Sequence, residues 1–124
     1  MTFLIAEDSL PMRQHIKRFL LKHLPNHHTF YEASDGREAV QLFECFSPDW
    51  VLMDIQMVPV DGITASKEIL GSHPAAKIIV LTSYYDAGYR KAAHEAGTVA
   101  FVSKDHLEDL QTIFSSHLPD HNFS

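Results

Sequence analysis

The chain has 124 residues, 45% of them hydrophobic and 21% charged, with 10 Lys and Arg set against 16 Asp and Glu for a formal charge of −6. That length holds one globular domain burying about two-thirds of its unfolded surface and leaves no room for two. The single cysteine, Cys45, excludes an intrachain disulfide framework or a cysteine-rich zinc site and fits a reducing compartment, while the acidic balance disfavours direct nucleic-acid binding. Met1–Ala6 is apolar but meets Glu7-Asp8 too soon for a signal or membrane-spanning segment. The expectation is a cytoplasmic protein without a membrane partner.

Thr2–Ala6 reads as a first strand. Ser9 can cap a helix that tolerates Pro11 in its first turn, places Leu10, Ile16, Leu20, Leu21 and Leu24 on one face and ends at Pro25. His28–Ala33 is a second strand candidate. Asp35 and Glu38 stand at capping-box spacing ahead of a helix striped by Ala39, Val40, Leu42 and Phe43, with Cys45 read as a small half-buried apolar residue. Trp50–Met53 is the third strand, Met57–Gly62 a turn-rich loop, and Ile63–Leu70 a short helix stopped near Gly71 and Pro74. Lys77–Leu81 is the kind of run expected in a strand buried on both faces. Asp86–Ala96 repeats the helical pattern and stops at Gly97. Val99–Val102 is a fifth strand, and a last helix runs from about Leu107 to Leu118 before Pro119.

Five strands, each followed by a helix, imply an α/β domain: a parallel sheet with helices on both faces, because right-handed crossovers lay each helix back on the sheet. The domain spans residues 1–124, with an ordered core of about 2–118 and a short tail over 119–124. Its functional groups belong at the carboxyl ends of the strands. The residues there are Glu7-Asp8, Asp54, Thr82-Ser83 and Lys104. Singly, each has an ordinary explanation: acids before a helix, a turn aspartate, a helix cap, a surface lysine. Jointly they do not. Three carboxylates in one crevice repel unless a hard divalent cation sits among them, and Mg²⁺ pairs a few carboxylates with water and phosphoryl oxygens. Lys104 can hold one phosphoryl oxygen and the Thr82 hydroxyl another, while Asp54 can attack phosphorus to give an acyl phosphate.

Taken in order, Glu7-Asp8, Val51-Leu-Met-Asp54, Asp61-Gly62, Leu81-Thr-Ser83 and Phe101-Val-Ser-Lys104 make the chain resemble the receiver domain of bacterial two-component response regulators, from Phe3 to about Leu118. The resemblance implies a flavodoxin-like three-layer (βα)5 domain with strand order 2-1-3-4-5. It implies that Asp54 is phosphorylated by a sensor histidine kinase or a phosphotransfer protein, and that Asp8, Asp54 and the Gln56 carbonyl are Mg²⁺ ligands with Glu7 in support. Thr82 and Phe101 fall at the family's switch positions. The expected readout is by an output partner or an effector domain at the face of the fourth helix, fifth strand and fifth helix, with a phosphorylation-dependent homodimer as a further partner. Three features depart from the family pattern. Val58 stands where proline is usual, with Pro59 one residue later. Asp105 follows Lys104, as in receivers fused to LuxR-type helix-turn-helix domains. Tyr84 places a large ring where the family controls dephosphorylation, at the entrance to the site.

The competing enzyme reading is a Mg²⁺-dependent aspartate-nucleophile phosphatase of the haloacid dehalogenase type. Such an enzyme wants an acid/base aspartate two residues after the nucleophile, where Gln56 stands. Flavin binding lacks its phosphate loop after the first strand, and Glu7-Asp8 would repel the cofactor phosphate. The nine histidines show no paired metal spacing, Met53 and Met57 read as packing, and Tyr84-Tyr85 could be a partner patch or a first helical turn. From Met1 to a stop just past the last helix the chain reads as a free-standing receiver, although the Lys104-Asp105 junction points to a larger regulator.

Overall fold

The computed structural model describes residues 1–24, 27–83 and 87–116. The apolar runs form β1 (Thr2–Ala6), β2 (Thr29–Ala33), β3 (Trp50–Asp54), β4 (Ile78–Thr82) and β5 (Ala100–Ser103). Between and after them lie α1 (Leu10–His23), α2 (Gly36–Phe46), α3 (Gly62–Ser72), α4 (Ala87–Ala96) and α5 (Asp109–Ser116). Every strand pair is parallel and the sheet order is β2-β1-β3-β4-β5, the flavodoxin-like (βα)5 arrangement.

Strand pleating divides the core. Phe3, Ile5, Leu52, Ile79 and Leu81 face Ile16 and Leu20 of α1 and Leu110 and Phe114 of α5. Leu4, Ala6, Val51, Met53 and Ile78 face Ala39 and Phe43 of α2 and Ala65 and Ile69 of α3. A third cluster, Ile55, Val80 and Ala93 with Ile63, Tyr89 and Phe101, packs under α4. β3 and β4 are buried along their whole length, as central strands of a doubly covered sheet must be.

Several expected boundaries move. Leu10 and Leu21 are 51% and 56% exposed, because at 3.6 residues per turn they lie about 100° and about 120° around α1 from the middle of the Ile16–Leu20 stripe. α3 is longer than expected: the Asp61 side chain accepts from Thr64 N at 2.8 Å, which starts the helix at Gly62, and it runs through Gly71 to Ser72. β4 and β5 each begin and end one residue later than expected, and α5 starts at Asp109 after turns at 107–108. Cys45 is exposed, on the outer face of α2, and not half-buried. α1 ends at His23 with Leu24 donating to the Leu20 carbonyl at 3.0 Å, while Pro25, Asp86, Leu118 and Pro119 lie outside the described residues.

Two local contacts set the position of the β3 end. Gly62 N donates to the Ile55 carbonyl at 2.9 Å, closing the loop that follows Asp54. A Cβ at residue 62 would stand 1.8 Å from the Asp54 carbonyl oxygen, so only glycine lets α3 start against the strand end. Within that loop the Val58–Pro59 peptide is cis and Val58 points outward.

Candidate functional site

At the carboxyl edge of the sheet, Glu7 N donates to the Ala33 carbonyl at 2.9 Å, prolonging the β1–β2 ladder by one residue. This carries the Glu7 side chain inward, to 1% exposure, and leaves Asp8 at the mouth. Glu7 Oε2 accepts from Ser9 N at 3.0 Å, and Oε1 meets Lys104 Nζ at 2.5 Å. Asp54 is the last residue of β3 and is 4% exposed, with Oδ1 3.1 Å from the same ammonium and a hydrogen bond from the backbone of Gln56. Lys104 is positioned by its own N–H, which donates to the Thr82 carbonyl at 2.8 Å, and Thr82 is buried beside it.

Burial pushes the Glu7 carboxyl above its ordinary range, against the hydrogen bonds from Lys104 and Ser9. Burial also raises Asp54, with the Asp8 charge adding to it and Lys104 opposing. For Lys104, burial alone would lower the pKa. The hydrogen bond to Glu7 and the charges of Asp54 and Glu7 overcome it and hold the ammonium above its usual value. The Lys104 ammonium therefore bridges two buried carboxylates beside a third. Ligand oxygens of Glu7, Asp8 and Asp54 lie within 4.8 Å of one another, the only such group of three His, Cys, Asp or Glu among the described residues. Hard oxygen donors with excess negative charge fit Mg²⁺.

The sequence-derived set is thus distributed as follows. Glu7, Asp8, Asp54, Thr82 and Lys104 meet at one rim. Gln56 borders it with an exposed side chain, and Ser83 is exposed. Phe101 is farther down β5, opposite Val80 and packed in the cluster that contains Ile55, the residue after Asp54. Tyr84 lies outside the described residues. The sequence reading passed over Arg13, whose Nη1 donates to the Glu7 carbonyl at 2.6 Å. Its only sequence signal is a place one turn into α1 behind the acidic pair, which it shares with many surface arginines.

Residues 3–115 match the model of the response regulator receiver domain, and the chain belongs to that family. It is 39% identical over 82% of its length to the transcriptional regulatory protein PdtaR of Mycobacterium tuberculosis, and covers 48% of that protein, so it spans about half the length of this relative. To the chemotaxis protein CheY of Thermotoga maritima it is 38% identical over 82% of both chains. It superposes on a chain of the crystal structure of the CheX-CheY-BeF3-Mg+2 complex from Borrelia burgdorferi with TM-score 0.85 and 25% identity, covering 96% of this chain and 90% of that one. The matched residues therefore make up a phosphoacceptor domain of the two-component type, and receiver domains bind Mg²⁺ at an acidic site. The haloacid dehalogenase reading finds no support among these relatives, and Gln56 still stands where its acid/base aspartate is needed. No helix of the described residues is long and apolar enough to cross a membrane.

Proposed function

We propose that Asp54 is the phosphoacceptor and that Asp8, Asp54 and the Gln56 carbonyl would hold Mg²⁺, with Glu7 in support. The carrying observation is the buried Asp54 carboxylate at the end of β3, with Lys104 Nζ 3.1 Å from Oδ1 and two more carboxylates alongside. A sensor histidine kinase or phosphotransfer protein presents a phosphorylated imidazole. An Asp54 oxygen forms the new O–P bond as the P–N bond breaks, and the electron pair stays on the imidazole nitrogen. Mg²⁺, when bound, neutralises charge between the carboxylates and the incoming dianion. Lys104 transfers its contact from the Asp54 carboxylate to a phosphoryl oxygen, and the Thr82 hydroxyl donates to another.

The domain, residues 1–124, acts in the cytoplasm as a switch and not as a turnover enzyme. The Gln56 amide is no general base for hydrolysis, so self-dephosphorylation is slow. Inward movement of Thr82 releases Phe101, because Val80 stands two residues before Thr82 on the same side of β4 and pairs with Phe101. The altered face of α4, β5 and α5 is read by an output partner or an effector domain, or by a second copy as a homodimer. A charge-assisted hydrogen bond of about 1.5–3 kcal/mol shifts such an equilibrium roughly ten- to a hundredfold.

Amide NMR with a beryllofluoride mimic and Mg²⁺ tests the switch. Wild type should shift from Asp54 through Val80 to Phe101 and α4. Thr82→Ala and Phe101→Ala should bind the mimic but lose the distant part of the pattern, and the double variant should be little worse than either single one, since both act in one step. A complete wild-type pattern around residue 101 in Thr82→Ala would show that Phe101 is only core.

A further inference from the structure

We propose that Arg13 is a positioning residue for divalent-cation binding: its guanidinium, anchored on Glu32, fixes the peptide between Glu7 and Asp8 and with it the direction in which the Asp8 carboxylate enters the site. This rests on the proposed Mg²⁺ site, in which Asp8 is a ligand beside Asp54 and Glu7 stands in support. Arg13 Nη1 donates to the Glu7 carbonyl at 2.6 Å, while Nε donates to Glu32 Oε1 at 3.1 Å. Lys17 Nζ holds the other Glu32 oxygen at 3.0 Å, which keeps the anchor from rotating away. The Arg13 side chain is only 15% exposed. A planar guanidinium serves two acceptors with one rigid orientation, which a flexible ammonium does not.

The chain is therefore held on both sides of Glu7. Its N–H is tied to the Ala33 carbonyl of β2, and its carbonyl is tied through Arg13 to Glu32 of the same strand. The next residue, Asp8, is exposed and depends on that peptide plane for its aim. Removing the arginine frees the carbonyl to rotate, and a bound cation must then order the loop itself. Charge alone predicts the opposite sign, since deleting a positive group beside a cation site strengthens cation binding.

Calorimetric titration of the phosphate-free protein with MgCl₂ separates the two. Arg13→Ala should bind Mg²⁺ about tenfold more weakly, the order found when outer partners of metal ligands are removed. Lys17→Ala, which removes the same charge from the same carboxylate of Glu32, should stay within about twofold of wild type, because the guanidinium remains in place. Arg13→Lys, which keeps the charge and the helix, should still bind at least about threefold more weakly, and decides the matter if Arg13→Ala does not fold. Binding as tight as wild type or tighter in either Arg13 variant, or an equal loss in Lys17→Ala, overturns the inference. Failure of the wild type itself to bind Mg²⁺ overturns the metal site and this inference with it.

Discussion

Lys104→Met is expected to lose about 3–5 kcal/mol of stability at neutral pH without divalent cations, the cost of breaking a buried ion pair by removing one partner. The Lys104 side chain is 13% exposed and touches Glu7 and Asp54, whose side chains are 2% and 5% exposed. Methionine fills the space and leaves both carboxylates without their cation. Both carboxyls are already pushed above their ordinary values of 4.5 and 3.8 by burial, with Lys104 opposing the rise, so its loss moves both further up. A carboxyl raised on folding contributes stability that is complete below its unfolded pKa and is lost as pH rises through the folded one. The variant should therefore approach wild type below those ordinary values and fall away from it toward neutrality. Urea denaturation across that range measures the gap. A constant gap at all pH values would show that the loss is packing alone.

Asp54→Asn should act in the opposite direction on the metal-free protein. Burial raises the Asp54 carboxyl more than Lys104 lowers it, so at neutral pH the ionised side chain costs stability. An amide of the same shape removes one of three clustered carboxylates and leaves Lys104 its contact with Glu7. The thermal midpoint should rise by roughly 3–6 °C, as about 1 kcal/mol gives in a domain of this size. Mg²⁺ at a hundredfold excess over its Kd should stabilise wild type by about 2.7 kcal/mol and the variant far less. Calorimetry with and without MgCl₂ reads both. A lower midpoint with an undiminished Mg²⁺ response would place the cation elsewhere.

The sheet was legible because its strands are short apolar runs punctuated by Gly, Pro and capping residues. Lys77–Leu81 could be little other than a buried strand, and Ser9 and Asp35 cap α1 and α2 through bonds to Met12 N and Glu38 N. The rim residues were legible because parallel strands deliver their ends to one edge. What stayed hidden depends on rotation and contact. Leu10 and Leu21 look like core by composition, but their angular position on α1 turns them to solvent. Cys45 lies on the outer side of α2, opposite the buried Ala39 and Phe43. The Glu7–Lys104 contact joins residues 97 positions apart (104 − 7), and the Arg13 bond goes to a carbonyl, a group every residue has. No spacing rule marks either. The one-residue displacements of β4 and β5 have the same origin, since the pairing of Thr82 with Ser103 extends both strands into polar residues that apolar patterning excludes.

Intact-mass measurement after incubation with acetyl phosphate tests the assignment of Asp54 most directly. With Mg²⁺ the wild-type chain should gain one phosphoryl group, with excess chelator none, and Asp54→Asn none under either condition, because the acceptor oxygen and a cation ligand are lost together. Full labelling of Asp54→Asn, or wild-type labelling undiminished by chelator, would contradict a Mg²⁺-assisted phosphoacceptor at Asp54.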